Sequence, residues 1–193
     1  MKLYHGTNQN FDEFKQDKAR ILNDYYGGGV AYFTDNLQVA HTYAKSMVKS
    51  KGGDPFVFEV DLTISKLFDV DKIFQGKSLS VFYNNKAELE EFCRGAGLMK
   101  AGTDKHQVMA SVELGNVNLT GDQVFKGLSA GMNKTAYARQ KLISLGYDTL
   151  RYNGGVNMNA TKHNVYIVFK SSNIHIREKY YFDSNGKKYK KVK

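Results

Sequence analysis

The chain has no tryptophan, one proline, one cysteine and no apolar run long enough to cross a bilayer. A lone Cys93 excludes an internal disulfide, so stability has to come from a packed core, and a free thiol suits a reducing cytoplasm. One proline against 18 glycines leaves the turns to glycine and excludes a proline-rich linker. No stretch approaches a spanning helix or the apolar core of a signal peptide, so a cytoplasmic location is expected. No self-similar period runs along the sequence, so a repeat array is excluded as well. Several chemical signatures are also missing. Gly27-Gly28-Gly29 is not followed by Gly-Lys-Ser/Thr, no Gly-x-Ser-x-Gly elbow occurs, and Cys93 has no histidine partner. His41, His106, His163 and His175 lack cysteine or carboxylate partners at ligand spacing, so no metal site is expected.

What is present is a 193-residue chain with 13 Tyr and 12 Phe, enough apolar and aromatic surface for one domain, or a domain with one appendage. The formal charge of +9 is uneven: Lys170 to Lys193 holds eight Lys/Arg against two acidic residues, leaving +3 for the preceding 169 residues. Such an end either engages phosphates or is a solvated, solubilising tail.

Periodicity places the elements. Lys2 to His5 reads as a first strand, and Phe11 and Phe14 pack a connecting loop onto the core. Lys15 to Tyr26 is a polar loop. Val30 to Phe33 is a short apolar strand, Asp35 or Asn36 caps the helix that follows, and its apolar positions include Leu37, Ala40, Tyr43, Ala44 and Met47. Phe56 to Leu62 alternates as a half-buried strand, and Leu67 to Val70 extends along the core edge. Asn85 caps a helix from Lys86 to Arg94 that closes at Gly95. The stretches Gln107 to Leu114 and Val124 to Leu128 fit helix or strand, with helix expected. Asn133 or Thr135 caps a helix ending at Gly146, then come a strand over Tyr147 to Tyr152 and an Asn/Gly loop from Asn153 to Asn159. Asn164 to Phe169 is a buried central strand, and Asn173 to Ile176 continues the sheet. Tyr180 to Tyr189 carries an Asn185-Gly186 turn between aromatic arms, a hairpin signal. The expected domains are therefore 1–176 and a basic hairpin appendage, 177–193, whose Lys187, Lys188, Tyr189, Lys190 and Lys191 are candidate nucleic-acid contacts.

Three short motifs carry the candidate chemistry. His5-Gly6-Thr7 ends the first strand with a ring nitrogen, an unhindered amide and a hydroxyl. Gly27 to Ala44 joins glycines, strand and helix, and its Tyr32 and Tyr43, eleven residues apart, offer two rings to one flat cationic ligand. Asn164-Val165-Tyr166-Ile167-Val168-Phe169 is the third. In this order the three resemble the signature motifs of NAD-dependent ADP-ribosyltransferases of the His–Tyr branch, shared by poly(ADP-ribose) polymerases and diphtheria-like toxins. Gly146 to Tyr152 further resembles the ADP-ribosyltransferase domains of phages and mobile elements.

The resemblance implies an α+β fold: a split, mostly antiparallel β-sandwich with flanking helices and NAD in the cleft between sheets. It implies that His5 bonds a ribose hydroxyl, that Gly6 pairs with the nicotinamide carboxamide, and that Thr7 supports the adenine-side ribose. Gly29 then lies in the NAD-binding stretch, Tyr32 and Tyr43 stack about the nicotinamide, and His5, Tyr32 and Val165 occupy the catalytic positions. Two positions depart from the pattern. Val165 stands where the polymerases have a glutamate, so polymer extension is not expected, and Asp24, Asp148 or Glu178 are the candidate substitute carboxylates. Ala40 replaces a serine that bonds the carboxamide in relatives. The implied function is mono-ADP-ribosyl transfer from NAD, used as a substrate, to a host protein or nucleic acid, by a cytoplasmic toxin or phage effector with an antitoxin as a candidate partner. The alternatives are an inactive nucleic-acid-binding module on the same fold and an NAD glycohydrolase.

Overall fold

Capping and alternation set most of the local structure, and long-range pairing assembles it. The computed structural model describes residues 1–16, 26, 28–130, 135–154, 161–183 and 186–190. Asp24, Gly27, Asn133, Asn185, Lys191 and most of the expected Asn/Gly loop lie outside the described residues, as does the side chain of Lys190. In chain order the elements are β1 (Lys2–Thr7), β2 (Ala31–Thr34), α1 (Leu37–Lys51), β3 (Phe56–Leu62), β4 (Leu67–Asp69), β5 (Ile73–Gln75), α2 (Lys86–Gly95), α3 (Lys105–Glu113), β6 (Asn118–Thr120), α4 (Gly121–Ala130), α5 (Thr135–Ser144), β7 (Thr149–Gly154), β8 (His163–Val168), β9 (Ile174–Phe182) and β10 (Lys188–Lys190). The fold is α+β with a large, mostly antiparallel sheet. Among the described residues no helix is long and apolar enough to cross a membrane.

The chain divides into two compact units. The first comprises Met1–Arg20, Gly29–Ser65 and Arg151–Lys193. Its strands lie in the order β10-β9-β3-β1-β2-β8-β7, and the pairings β1–β2, β1–β3, β2–β8, β3–β9 and β9–β10 are all antiparallel. Helix α1 starts at Asn36, whose side chain accepts the Gln38 and Val39 amides, leaving fewer of the first-turn donors unsatisfied. The helix covers one sheet face through Ala40 and Ala44, which pack with Val57, Tyr180 and Phe182.

That cover changes β3. Its alternation predicts one wet face, yet only Asp61 of its seven residues escapes full burial. The second face is buried because α1 lies on it and because Glu59 is paired there with Tyr180 and Lys2. The expected boundary at 176/177 falls inside β9. This strand pairs along the whole of β3, with a register shift between Glu59 and Val60, and continues to Phe182. Tyr180 and Phe182, beyond that boundary, are buried and belong to the first unit's core.

The second unit comprises Ile21–Gly28 and Lys66–Leu150. Phe68 is fully buried and meets Phe74 and Tyr147 at ring separations of 5.4 and 5.3 Å. Helix α2 begins as its sequence predicts, the Asn85 side chain accepting the Glu88 amide at 2.9 Å. Cys93 is buried on this helix and its thiol is pushed up to about 11, chiefly by desolvation, which leaves little thiolate for nucleophilic chemistry. The two ambiguous stretches are helical, as α3 and α4. Between them β6 pairs with β5, a strand too short to show a period of its own.

Candidate active site

The first two motifs meet where β1 and β2 part. Among the described residues their register is a single pair, Tyr4 with Thr34, while β1 stays paired to β3 from Lys2 to Thr7. Beyond Tyr4 the two strands separate, and the His5 ring crosses the gap to the backbone of β2: Nδ1 lies 2.8 Å from the Tyr32 carbonyl oxygen. A carbonyl only accepts, so the partner assigns the proton to Nδ1 and leaves Nε2 as a lone-pair acceptor. Phe14 and Phe33 stand 5.1 and 5.6 Å from the imidazole, with Phe11 and Phe58 each at 6.4 Å. This aromatic surround desolvates the ring and lowers its pKa to about 4, so His5 is neutral at physiological pH.

The register also separates side chains that the motifs suggest belong together. His5 faces Phe58 across β1–β3, and Tyr4 faces Thr34 across β1–β2. Alternation therefore sends His5 and Phe33 to one side of the sheet and Tyr32 and Thr34 to the other, the side covered by α1. His5 touches the Tyr32 backbone and not its ring.

Gly6 lies in this gap region with α1 directly above it. A Cβ on Gly6 would stand 2.0 Å from the Ala40 carbonyl oxygen and 3.0 Å from the Ala44 nitrogen, so only glycine admits the helix this close. Thr7 is buried, and its hydroxyl oxygen accepts the Gln9 amide at 3.2 Å. Gly29 is required by packing: a Cβ there would meet the Val168 carbonyl oxygen at 2.6 Å and an Ile167 methyl at 2.7 Å. Tyr32 is half-buried. Tyr43 is 58% exposed, so it is not a core aromatic. The buried ring of this helix is that of His41, which stacks on Phe182 at 3.9 Å.

The third motif lies one strand further. Val165 pairs with Thr34 and Ile167 with Tyr32, so Val165 is half-buried on the Tyr32 side of β8. Of the substitute carboxylates, Asp148 is buried in the second unit, and Asp24 is outside the described residues. Glu178 faces Glu59 across β3–β9 and accepts the Tyr180 hydroxyl at 2.6 Å, with β3 and β1 between it and β2. A carboxylate that stands beside the third motif is one the sequence offers as a helix cap and not as a substitute carboxylate. Asp35 accepts both the backbone amide of Asn164 at 3.0 Å and its side-chain amide at 2.6 Å, and Arg151 donates to the Asn164 amide oxygen at 2.6 Å. Its signal was its place directly after Tyr32-Phe33-Thr34.

In the hairpin, Lys187, Lys188 and Tyr189 are exposed; the Lys188 ammonium lies 3.5 Å from the Tyr180 ring centre and that of Lys187 lies 5.7 Å from Tyr189. In comparison with known proteins, the family described as ADP-ribosyltransferase in polyvalent proteins matches residues 1–177. No curated protein and no solved structure matches the chain.

Proposed function

The chain belongs to the ADP-ribosyltransferases of polyvalent proteins, a phage and mobile-element type, and on that premise we propose that it transfers a single ADP-ribosyl group from NAD to a macromolecular acceptor. The observation that carries this reading is the gap between β1 and β2, bridged by a neutral His5 whose Nδ1 is committed to Tyr32 and whose Nε2 is an acceptor. An unprotonated Nε2 suits a ribose hydroxyl, which donates. The exposed ring of Tyr43 suits the cationic nicotinamide, and Tyr32 lies on the same side of the sheet as α1, the helix that carries Tyr43.

In the reaction, the bond from the ribose C1′ to the nicotinamide nitrogen breaks and its electron pair returns to the ring, which leaves neutral. The acceptor's nucleophile forms the new bond to C1′ and gives up its proton to solvent or a nearby base. The side chains at the gap act mainly by holding the dinucleotide in one geometry, an effect that lowers barriers substantially. Val165 offers no carboxylate to polarise an acceptor hydroxyl, which favours single transfer to a reactive acceptor over chain extension. Such an activity fits a toxin or phage effector acting on a host macromolecule in the cytoplasm, restrained by an antitoxin partner.

Incubation with labelled NAD and cell extract tests the proposal. Label is expected on protein or nucleic acid with wild-type chain and is expected to be lost with His5→Ala; label that survives this substitution overturns the site. A second reading, NAD glycohydrolysis, is favoured by Val165 alone. It predicts full nicotinamide release without any macromolecule.

A further inference from the structure

We propose that the lysines of α1 and of the β9–β10 hairpin form one basic surface that holds the phosphate backbone of a single-stranded nucleic acid. The charge distribution points there first. Helix α1 carries Lys45, Lys49 and Lys51 and no acidic residue, while residues 183–193 carry five lysines against Asp183, so +7 of the formal +9 resides in these two stretches. They are far apart in sequence and adjacent in space. The ring of Phe182 stacks on His41 at 3.9 Å, and a Cβ built on Gly186 would stand 3.5 Å from the Lys45 ammonium nitrogen. Lys49 follows Lys45 by one helical turn on the same face.

Among the described residues these charges meet no carboxylate. Lys45, Lys49, Lys187 and Lys188 are exposed, and none forms an ion pair among the described residues. Some cations elsewhere are paired: Arg94 meets Glu90 and Glu91, and Lys105 meets Glu90. Asp183 is turned inward to the hairpin, accepting the Lys187 amide at 2.9 Å and the Tyr189 hydroxyl at 3.3 Å. A surface of like charges repels itself, and an anionic partner removes that repulsion.

The aromatic content selects the kind of anion. Tyr189 is 41% exposed among the lysines, and its ring centre lies 6.4 Å from that of Tyr181. A flat ring beside ammonium groups suits unpaired bases next to phosphates, whereas an acidic protein surface offers only the charge. As a binding surface this stands independently of the transfer chemistry; that the bound strand is also the ADP-ribosyl acceptor rests on the function proposed above.

The test uses the full chain and a fluorescent single-stranded pyrimidine RNA of about 20 nucleotides, followed by anisotropy. Engagement of the four lysines gives a slope of log affinity against log salt of about −3, a fall of roughly 50-fold between 50 and 200 mM. Removing either pair, Lys45→Gln with Lys49→Gln or Lys187→Gln with Lys188→Gln, is expected to weaken binding and reduce the slope by about half. The matching arginine variants retain both affinity and slope, which separates charge from folding. Tyr189→Ala weakens binding and leaves the slope unchanged.

No binding at 50 mM salt, indifference to the α1 pair, an equal loss from Lys77→Gln with Lys86→Gln in the second unit, or preference for an acidic peptide or a duplex each overturns the surface. Transfer of label from NAD to the macromolecules of a cell extract, measured on the same preparations, keeps the two ideas apart. Transfer intact in wild-type chain that does not bind RNA refutes this surface alone, and RNA binding without any label transfer refutes the transfer reading alone.

Discussion

The neutral state of His5 has a direct consequence for stability. In the unfolded chain an imidazole takes up its proton as pH falls through about 6.5, whereas in the folded chain the aromatic surround delays uptake until about 4. Between these values the unfolded state binds more protons, so stability is fully present above pH 6.5 and drains away as pH falls towards 4. The difference corresponds to about 3 kcal/mol from this one side chain. Other groups also take up protons as pH falls, so the measurement has to be a difference. His5→Gln keeps an N–H for the Tyr32 carbonyl and cannot titrate. Urea denaturation at intervals from pH 7 to pH 4 is expected to show wild-type chain losing about 3 kcal/mol more than the variant. Parallel curves would refute both the burial of the ring and the assignment of its proton to Nδ1 alone. The same reasoning predicts that nicotinamide release in wild-type chain does not fall at pH 6.5, where an ordinary histidine is half protonated.

Other substitutions probe the packing around the gap. Gly6→Ala drives a methyl into the Ala40 carbonyl oxygen, 2.0 Å away, and is expected to cost on the order of 3 kcal/mol in denaturant unfolding, because helix and strand have to separate. Tyr43→Ala removes an exposed ring, so unfolding is expected to change by less than about 0.5 kcal/mol while the KM for NAD rises; an unchanged KM would remove Tyr43 from the donor site. His41 is buried with an Nε2 that has no hydrogen-bond partner among the described residues, and desolvation followed by the nearby Lys45 lowers its pKa. His41→Phe preserves the ring against Phe182 and abolishes the orphaned nitrogen, so stability at pH 7 is expected to rise by about 1 kcal/mol. The gain should widen as pH falls below 6.5, where protonating the buried ring disfavours the wild-type fold; a variant less stable than wild type at both ends would contradict this.

Sequence by itself determined the elements whose signals are local. Asn36 and Asn85 cap helices because a short amide side chain reaches the first-turn N–H groups, which needs nothing beyond neighbouring residues. The three motifs were equally legible, and residues 1–177 carry the family they suggested. Tertiary structure alone decided which faces are covered and which groups meet. Phe56 to Leu62 alternates like a half-wet strand and is nevertheless buried on both sides, because a helix from elsewhere in the chain lies on the second face. The hairpin read as an appendage because a strand's period says nothing of its partner; pairing with β3 carries β9 through residue 182. Asp35 meets Asn164 across 129 positions of sequence, and the tautomer of His5 depends on a carbonyl 27 residues away. Local propensity acts through bonds between neighbours, whereas burial, protonation and the joining of two basic segments depend on contacts that exist only after the chain has closed upon itself.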